Sequence, residues 1–312
     1  MEHIVYEEGY LKVDNNHEIY YELSGNKNGI PVFYFHGGPG GSTNVESKKF
    51  FDPKFYNIVV FDQRGAGKSK PSASIINNNT WALISDIEAL RKKIKAKKIL
   101  VFGGSWGSTL ALAYAIKHSE NVLGLILRGI FLGTKEEYKW LYQSGIDQFY
   151  PDIFEIYKNY VPKEKQNNLL SSYYELLQNK NLEKAYEAAN YFSYLESNAV
   201  SVSRNNYHLK TSPKEALEIS LLETHYFVNN CFFESDNWIL ENTDKIKDIK
   251  TYIVHGRYDM VTLVKNAYKL DRKLNNSTLF IVEESGHSTS EKAIKERLLW
   301  CVEDFKKHAK KL

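Results

Sequence analysis

Apolar residues fall in two rhythms along this chain. In the first third, short β-branched and aromatic runs alternate with longer stretches of helical period. Ile30–Phe35 and Tyr56–Phe61 are nearly continuous apolar runs, the pattern of strands buried on both faces. Thr80–Lys93 has helical spacing. Residues 98–102 predict another buried strand, 108–116 a helix packed on one side, and 122–127 the next strand. Such a β-α-β-α order implies a parallel sheet with helices on both faces. The rhythm stops near Thr134. From there to about Trp238 the chain is rich in Tyr and Glu, keeps a 3.6-residue period and offers few strand candidates. Strand-like runs return at 251–254 and 278–282, and a closing helix spans roughly 291–307. The expectation is a discontinuous α/β domain, residues 1–133 and 239–312, interrupted by an all-helical segment, residues 134–238.

Composition narrows the class without changing this picture. The 312 residues are 43% hydrophobic and 25% charged, ordinary for a globular protein with a large core. The net charge is +3 and the basic residues are spread out, apart from a run at 91–98. That run reads as a solvated helix end with cations near its C-terminus, and no recognition motif accompanies it. No nucleic-acid partner is therefore expected. Cys231 and Cys301 share no metal-ligand spacing and make no disulfide framework, so they read as free thiols in a reducing compartment. Residues 1–8 lack an apolar signal core, and no apolar run approaches the length of a membrane span. The sequons at Asn78, Asn275 and Asn276 carry little weight without such a signal. The expectation is a cytoplasmic protein without a membrane partner. No spacing such as H-E-x-x-H is present, so no metal or other cofactor is expected. The sequence carries no signal for an oligomeric state.

Gly103-Gly104-Ser105-Trp106-Gly107 fits G-x-S-x-G, a serine on a sharp strand-to-helix turn. The flanking strand and helix patterns give the motif its context. A serine hydroxyl needs a base, and the base needs an orienting acid. Asp259 follows the predicted strand 251–254, and His287 follows the strand 278–282. Both lie beyond carboxyl ends of strands, where sites in open parallel sheets form. Ser105, Asp259 and His287 are thus the candidate catalytic triad. His36-Gly37-Gly38-Pro39-Gly40-Gly41 follows another strand and frees backbone N–H groups for a developing oxyanion. The two donors are assigned to the N–H groups of Gly38 and Trp106. His36 is expected to shape this loop without moving a proton. Gly67-Lys68-Ser69 resembles the end of a phosphate loop, but that motif needs glycine where Asp62 stands. The segment instead reads as a loop bordering the site, with Arg64 ion-paired inside.

Ser212-Pro213-Lys214-Glu215 is a capping box with proline at N1, so a helix begins there. On it, Glu223 has Ile219 at i−4, Tyr226 at i+3 and Phe227 at i+4. Glu196 similarly has Phe192, Ala199 and Val200 around it. Each carboxylate sits on an apolar helix face and should meet a cation. The partner is either an internal residue such as Arg128 or the amine of a substrate.

Taken together these residues resemble the prolyl aminopeptidases, the proline iminopeptidase family of serine peptidases. The matches are His36–Gly41, Asp62–Ser69, Asn79-Thr80-Trp81 with Asp86–Arg91, Gly103–Ser108, Leu127–Phe131, Glu223–Phe227 and His255–Asp259. They run nearly end to end. The resemblance implies an α/β-hydrolase core with a mostly parallel sheet and an inserted helical cap. It also implies release of N-terminal proline from short peptides through an acyl-enzyme. Glu223 matches a family position that holds the substrate's terminal amine, and Glu196 matches another. Around Glu196 the chain departs from the family, with Phe192 and Leu195 where tryptophans are usual. An amine anchor would also explain exopeptidase action, because only one residue fits between it and Ser105. Two alternatives remain: an esterase or amidase of the same fold, which needs no paired cap carboxylates, and a non-catalytic binding protein, which the intact triad argues against. An aspartate would be expected at the elbow of an epoxide hydrolase.

Overall fold

The computed structural model describes residues 3–202 and 212–309. Eight strands form one sheet: β1 (Val5–Lys12), β2 (Glu18–Gly25), β3 (Ile30–Phe35), β4 (Tyr56–Phe61), β5 (Ile99–Ser105), β6 (Val122–Ile130), β7 (Thr251–Gly256) and β8 (Ser277–Val282). Their spatial order is β1-β2-β4-β3-β5-β6-β7-β8. From β4 to β8 every neighbouring pair is parallel, while β2 is antiparallel to both β1 and β4. All six strands predicted from apolar runs are present. The β1–β2 pair was not among those predictions. β1 lies at the sheet edge with no fully buried residue, so it lacks the continuous apolar run that marks the inner strands.

The helices are α1 (Val45–Lys48), α2 (Thr80–Lys93), α3 (Trp106–Lys117), α4 (Lys135–Tyr142), α5 (Pro151–Tyr160), α6 (Leu169–Leu177), α7 (Leu182–Ala199), α8 (Pro213–Val228), α9 (Trp238–Glu241), α10 (Val264–Asp271) and α11 (Lys292–Ala309). Asn79 caps α2 through the N–H of Ala82. Alternate strand residues feed two cores. Val32, Ile58, Val60, Leu100 and Val254 pack with Leu298, Val302 and Phe305 of α11. Phe33, Phe35, Val59, Val101 and Ile253 face the opposite way, into the core shared with α2, α3 and α10. The basic run begins in the last turn of α2 and is mostly exposed, and Arg91 in it pairs with Glu88.

Between β6 and β7 no strand occurs among the described residues, and α4–α9 fill that interval. α8 starts as expected, with Ser212 and Glu215 exchanging the two capping-box bonds. The segment's apolar side chains join the core on the α2, α3 and α10 face of the sheet. Tyr142 stacks on Phe192 at 5.0 Å, Tyr157 on Tyr173 at 4.6 Å, and Tyr138 on Phe227 at 5.1 Å.

Candidate active site

β5 runs directly into α3, and Ser105 sits at the junction with φ 58° and ψ −129°. A serine with positive φ is held there by crowding on both sides. A Cβ on Gly103 would lie 2.2 Å from the Gly107 carbonyl, and one on Gly107 would lie 2.1 Å from the Phe35 carbonyl. Neither distance admits a side chain, so the turn can close only with glycine at both places. The helix begins at Trp106, two residues before the predicted start. The Trp106 N–H is thus one of the free donors of a helix N-terminus. Ser108 ties the turn to the strand next to it: its hydroxyl donates to the Ser105 carbonyl at 2.7 Å and accepts from the Phe131 N–H at 3.1 Å.

The loop after β3 lies against this turn. Gly38 adopts φ 107° and lines the same cavity as Ser105. His36 accepts the Gln63 N–H at Nε2 (2.9 Å), so its proton sits on Nδ1, 2.9 Å from the Gly37 carbonyl. Burial lowers the His36 pKa, which keeps the ring neutral in this structural role. Gln63 then joins loop to elbow. Its Nε2 donates to the His36 carbonyl, and its Oε1 accepts the Trp106 indole N–H at 2.8 Å. Asp62, which breaks the phosphate-loop spacing, instead accepts Thr43 and Lys68 backbone N–H groups. Arg64 is ion-paired inside, bidentate to Asp86 and also to Asp14.

Asp259 follows β7 and His287 follows β8. The structure brings them together, with His287 Nδ1 2.7 Å from Asp259 Oδ2. The other carboxylate oxygen accepts the N–H groups of Val261 and Thr262. Burial alone would raise the Asp259 pKa, but His287 and these donors outweigh it and hold it at about 2. An ionised acceptor fixes the proton of neutral His287 on Nδ1 and leaves Nε2 free to act as a base. The His287 loop is also tied to the helical segment. The N–H groups of His287 and Ser288 both donate to the Val200 carbonyl, just past the end of α7.

Glu196 on α7 and Glu223 on α8 line one cavity with Ser105 and Gly38. The space between these residues is about 310 Å³, counting the part open to solvent. Its walls include Phe131, Leu141, Tyr142 and Phe227. The Tyr142 hydroxyl lies 3.3 Å from Glu196 Oε2 and 3.4 Å from Glu223 Oε2, yet can donate to only one of them. Burial, with Glu196 beside it, pushes the Glu223 pKa well above the ordinary carboxylate range. Burial raises Glu196 too, against the pull of His287 and the Tyr142 hydroxyl. Arg128, the internal partner considered for them, donates to the His287 carbonyl at 3.0 Å and acts on Glu196 only from beyond ion-pair distance. Among the described residues no Lys or Arg nitrogen lies within ion-pair distance of either carboxylate. Phe192 and Leu195, where the sequence departs from its family, are buried.

Four residues of this region escaped the sequence reading: Gln63, Tyr142, Thr262 and Glu137. Glu137 is buried in the cavity wall and accepts from the N–H groups of Leu132 and Thr134, the Thr134 hydroxyl and the Asn266 amide. Burial pushes its pKa up to about 7 against these donors. The capping box Thr134-x-x-Glu137 was a visible signal for it. Gln63 lies within the Asp62–Ser69 motif and Thr262 stands three residues after Asp259, but their bonds to Trp106 and His287, like those of Tyr142 to Glu196 and Glu223, join segments far apart in the chain.

A family profile for the alpha/beta hydrolase fold matches residues 30–293. The chain is 44% identical to a proline iminopeptidase of Arabidopsis thaliana, over 96% of this chain and 80% of that one. It is 43% identical to a probable proline iminopeptidase of Leptolyngbya boryana, over 96% and 94%. Identity to the proline iminopeptidase of Neisseria meningitidis serogroup B is 40%, over 96% of each. Among solved structures, an alpha/beta hydrolase from a deep-sea metagenome superposes with TM-score 0.65 at 15% identity, over 95% of this chain and 97% of the other. An esterase from Rhodococcus sp. does so with TM-score 0.62 at 18% identity, over 96% and 98%. These two likenesses concern the fold.

Proposed function

The chain belongs to the proline iminopeptidase family of α/β-hydrolases, and from that premise we infer that it is a serine exopeptidase releasing N-terminal proline from peptides. One observation carries the site reading: Ser105 shares one cavity with buried Glu223 and half-buried Glu196, while the third carboxylate of its wall, Glu137, is taken up by backbone and side-chain donors. A free peptide amine is a cation, and a proline ring is compact and apolar. The carboxylates suit the first and the aromatic walls suit the second.

In this reading Ser105 attacks the carbonyl of the terminal proline while His287 takes its proton. Asp259 holds His287 in the required tautomer. The N–H groups of Gly38 and Trp106 receive the negative charge that develops on the carbonyl oxygen. His287 then returns the proton to the leaving amine, and water repeats the sequence on the acyl-enzyme to free proline. Glu196 and Glu223 bind the substrate ammonium. An anchored amine sets its distance to the scissile carbonyl, which restricts cleavage to the first residue. We assign residues 134–238 the role of a cap that closes over residues 1–133 and 239–312. The substrates are short peptides. Among the described residues no helix is long and apolar enough to cross a membrane. Both cysteines are free and buried, which suits a reducing compartment, and the reading places the enzyme in the cytoplasm.

The test is a comparison of prolyl and N-acetylprolyl chromogenic amides. Wild type should cleave the first and barely touch the second. Glu196→Gln and Glu223→Gln should each lower kcat/KM for the free prolyl amide about tenfold to a hundredfold, the loss expected for one charged hydrogen bond. Equal hydrolysis of the two amides would overturn the amine anchor and favour a general esterase or amidase.

A further inference from the structure

Asp259 Oδ2 accepts a second hydrogen bond besides that of His287. The Thr262 hydroxyl donates to it at 3.0 Å, and the same hydroxyl oxygen lies 3.2 Å from His287 Nδ1. The three groups form a closed triangle with Oδ2···Nδ1 as its 2.7 Å side. A carboxylate only accepts, so the Thr262 proton points to Oδ2. Its oxygen lone pair is then turned to the Nδ1 proton of His287. That proton is shared between a near carboxylate oxygen and a farther hydroxyl oxygen.

Thr262 is itself held from behind. Its backbone N–H donates to Asp259 Oδ1 at 2.8 Å, and its carbonyl lies 2.7 Å from His255 Nε2. His255 accepts the Ile130 N–H at Nδ1 (3.0 Å), so its proton sits on Nε2 and is donated to Thr262. Ile130 pairs in register with Ser105 across the end of β5 and β6. A continuous chain of bonds thus runs from the strand beside the nucleophile through His255 and Thr262 to the acid and the base. Burial lowers the His255 pKa, in keeping with a neutral ring.

We propose that Thr262 is a positioning residue of the hydrolytic reaction, whose hydroxyl fixes the plane and tautomer of His287 by bridging it to Asp259. The proposal rests on the reading of Asp259 and His287 as orienting acid and base. A histidine held by one hydrogen bond can rotate about it. A second contact on the same edge removes that freedom and fixes the direction in which Nε2 presents its lone pair. Thr262 acts through His287 and touches no reacting atom in this scheme.

The experiment compares Thr262→Val, Thr262→Ala and Thr262→Ser with wild type on a prolyl chromogenic amide. Valine keeps the branched shape and loses the hydroxyl, alanine loses both, and serine keeps the hydroxyl alone. We expect kcat to fall about tenfold in the valine and alanine variants with KM changed less than about twofold, and serine to recover most of it. The His287 Nδ1 proton, read as a downfield resonance in proton NMR, should move in valine and alanine variants and return with serine. Unchanged kcat without the hydroxyl, or a serine variant as slow as valine, would overturn the proposal. So would an Nδ1 resonance that stays in place. Should valine fail to fold, alanine and serine make the same comparison. Asp259→Asn separates this from the parent reading: if it retains activity the assignment of Asp259 as orienting acid fails, and if it alone is inactive only Thr262 is refuted.

Discussion

The two ends of the cavity are built by opposite means. At the Ser105 end, position comes from backbone. A residue with positive φ is clamped between glycines that admit no Cβ, and the free donors belong to the main chain. At the Glu196 and Glu223 end, position comes from side chains on two long helices, walled by stacked aromatic rings. The first arrangement is steric and leaves little to electrostatics. The second sets two carboxylates around one hydroxyl among aromatic walls, an arrangement that disfavours their charged forms. Changes at the reactive end should therefore remove chemistry and leave stability alone. Changes at the recognition end should alter affinity and stability together.

The largest expected effect tests the first half of this contrast. Ser105→Ala should lower kcat by at least about a thousandfold, while its melting temperature stays within about 2 °C of wild type. A serine-directed phosphonate should label wild type at Ser105 alone, as peptide mass analysis would show. Full activity in the alanine variant, or label elsewhere, would break the assignment. Next in size is Asp259→Asn, which should cost roughly a hundredfold to a thousandfold in kcat through the wrong His287 tautomer. Steady-state rates on the prolyl amide measure it.

The recognition end gives a smaller effect of opposite sign. The Glu223 pKa is raised by burial, so the folded state holds that proton more tightly than the unfolded chain does. The stability contributed in this way is complete below the ordinary value of 4.5 and is lost as pH rises toward the folded value. Glutamine keeps the volume and carries no such dependence. Glu223→Gln should accordingly melt about 2 °C or more above wild type at pH 8, with the gap closing below pH 4.5. Thermal scans across pH decide this. A glutamine variant that melts lower at pH 8, with unchanged kinetics, would make Glu223 a structural partner of some internal cation. The smallest effect is none at all: prolonged chelation should leave activity intact, and recovery only on adding metal would refute a purely serine-based reaction.

The strands and most helices were legible because their signals are local. A buried strand needs a continuous apolar run, and β3 to β8 have one, whereas the half-exposed β1 does not. The elbow was legible because glycine, serine and glycine at fixed spacing encode a turn that few other residues permit. The order of Ser105, Asp259 and His287 placed each at a strand end, and helical period put Glu196 and Glu223 on apolar faces. What periodicity left open was their partner, since a face does not say what it faces. Only the packing of α7 against α8 over the ends of β5 and β6 brought both carboxylates to Tyr142 and to the cavity of Ser105, and sent Arg128 elsewhere. Gln63 and Thr262 belong with these. The bonds that join Gln63 to Trp106 and Thr262 to His287 span 43 and 25 residues of chain and arise only from closure of the fold, although Gln63 lies within a sequence motif and Thr262 stands three residues from Asp259. Local patterns are set by the backbone's own period and sterics. Contacts between distant segments exist only once the core has decided which surfaces meet.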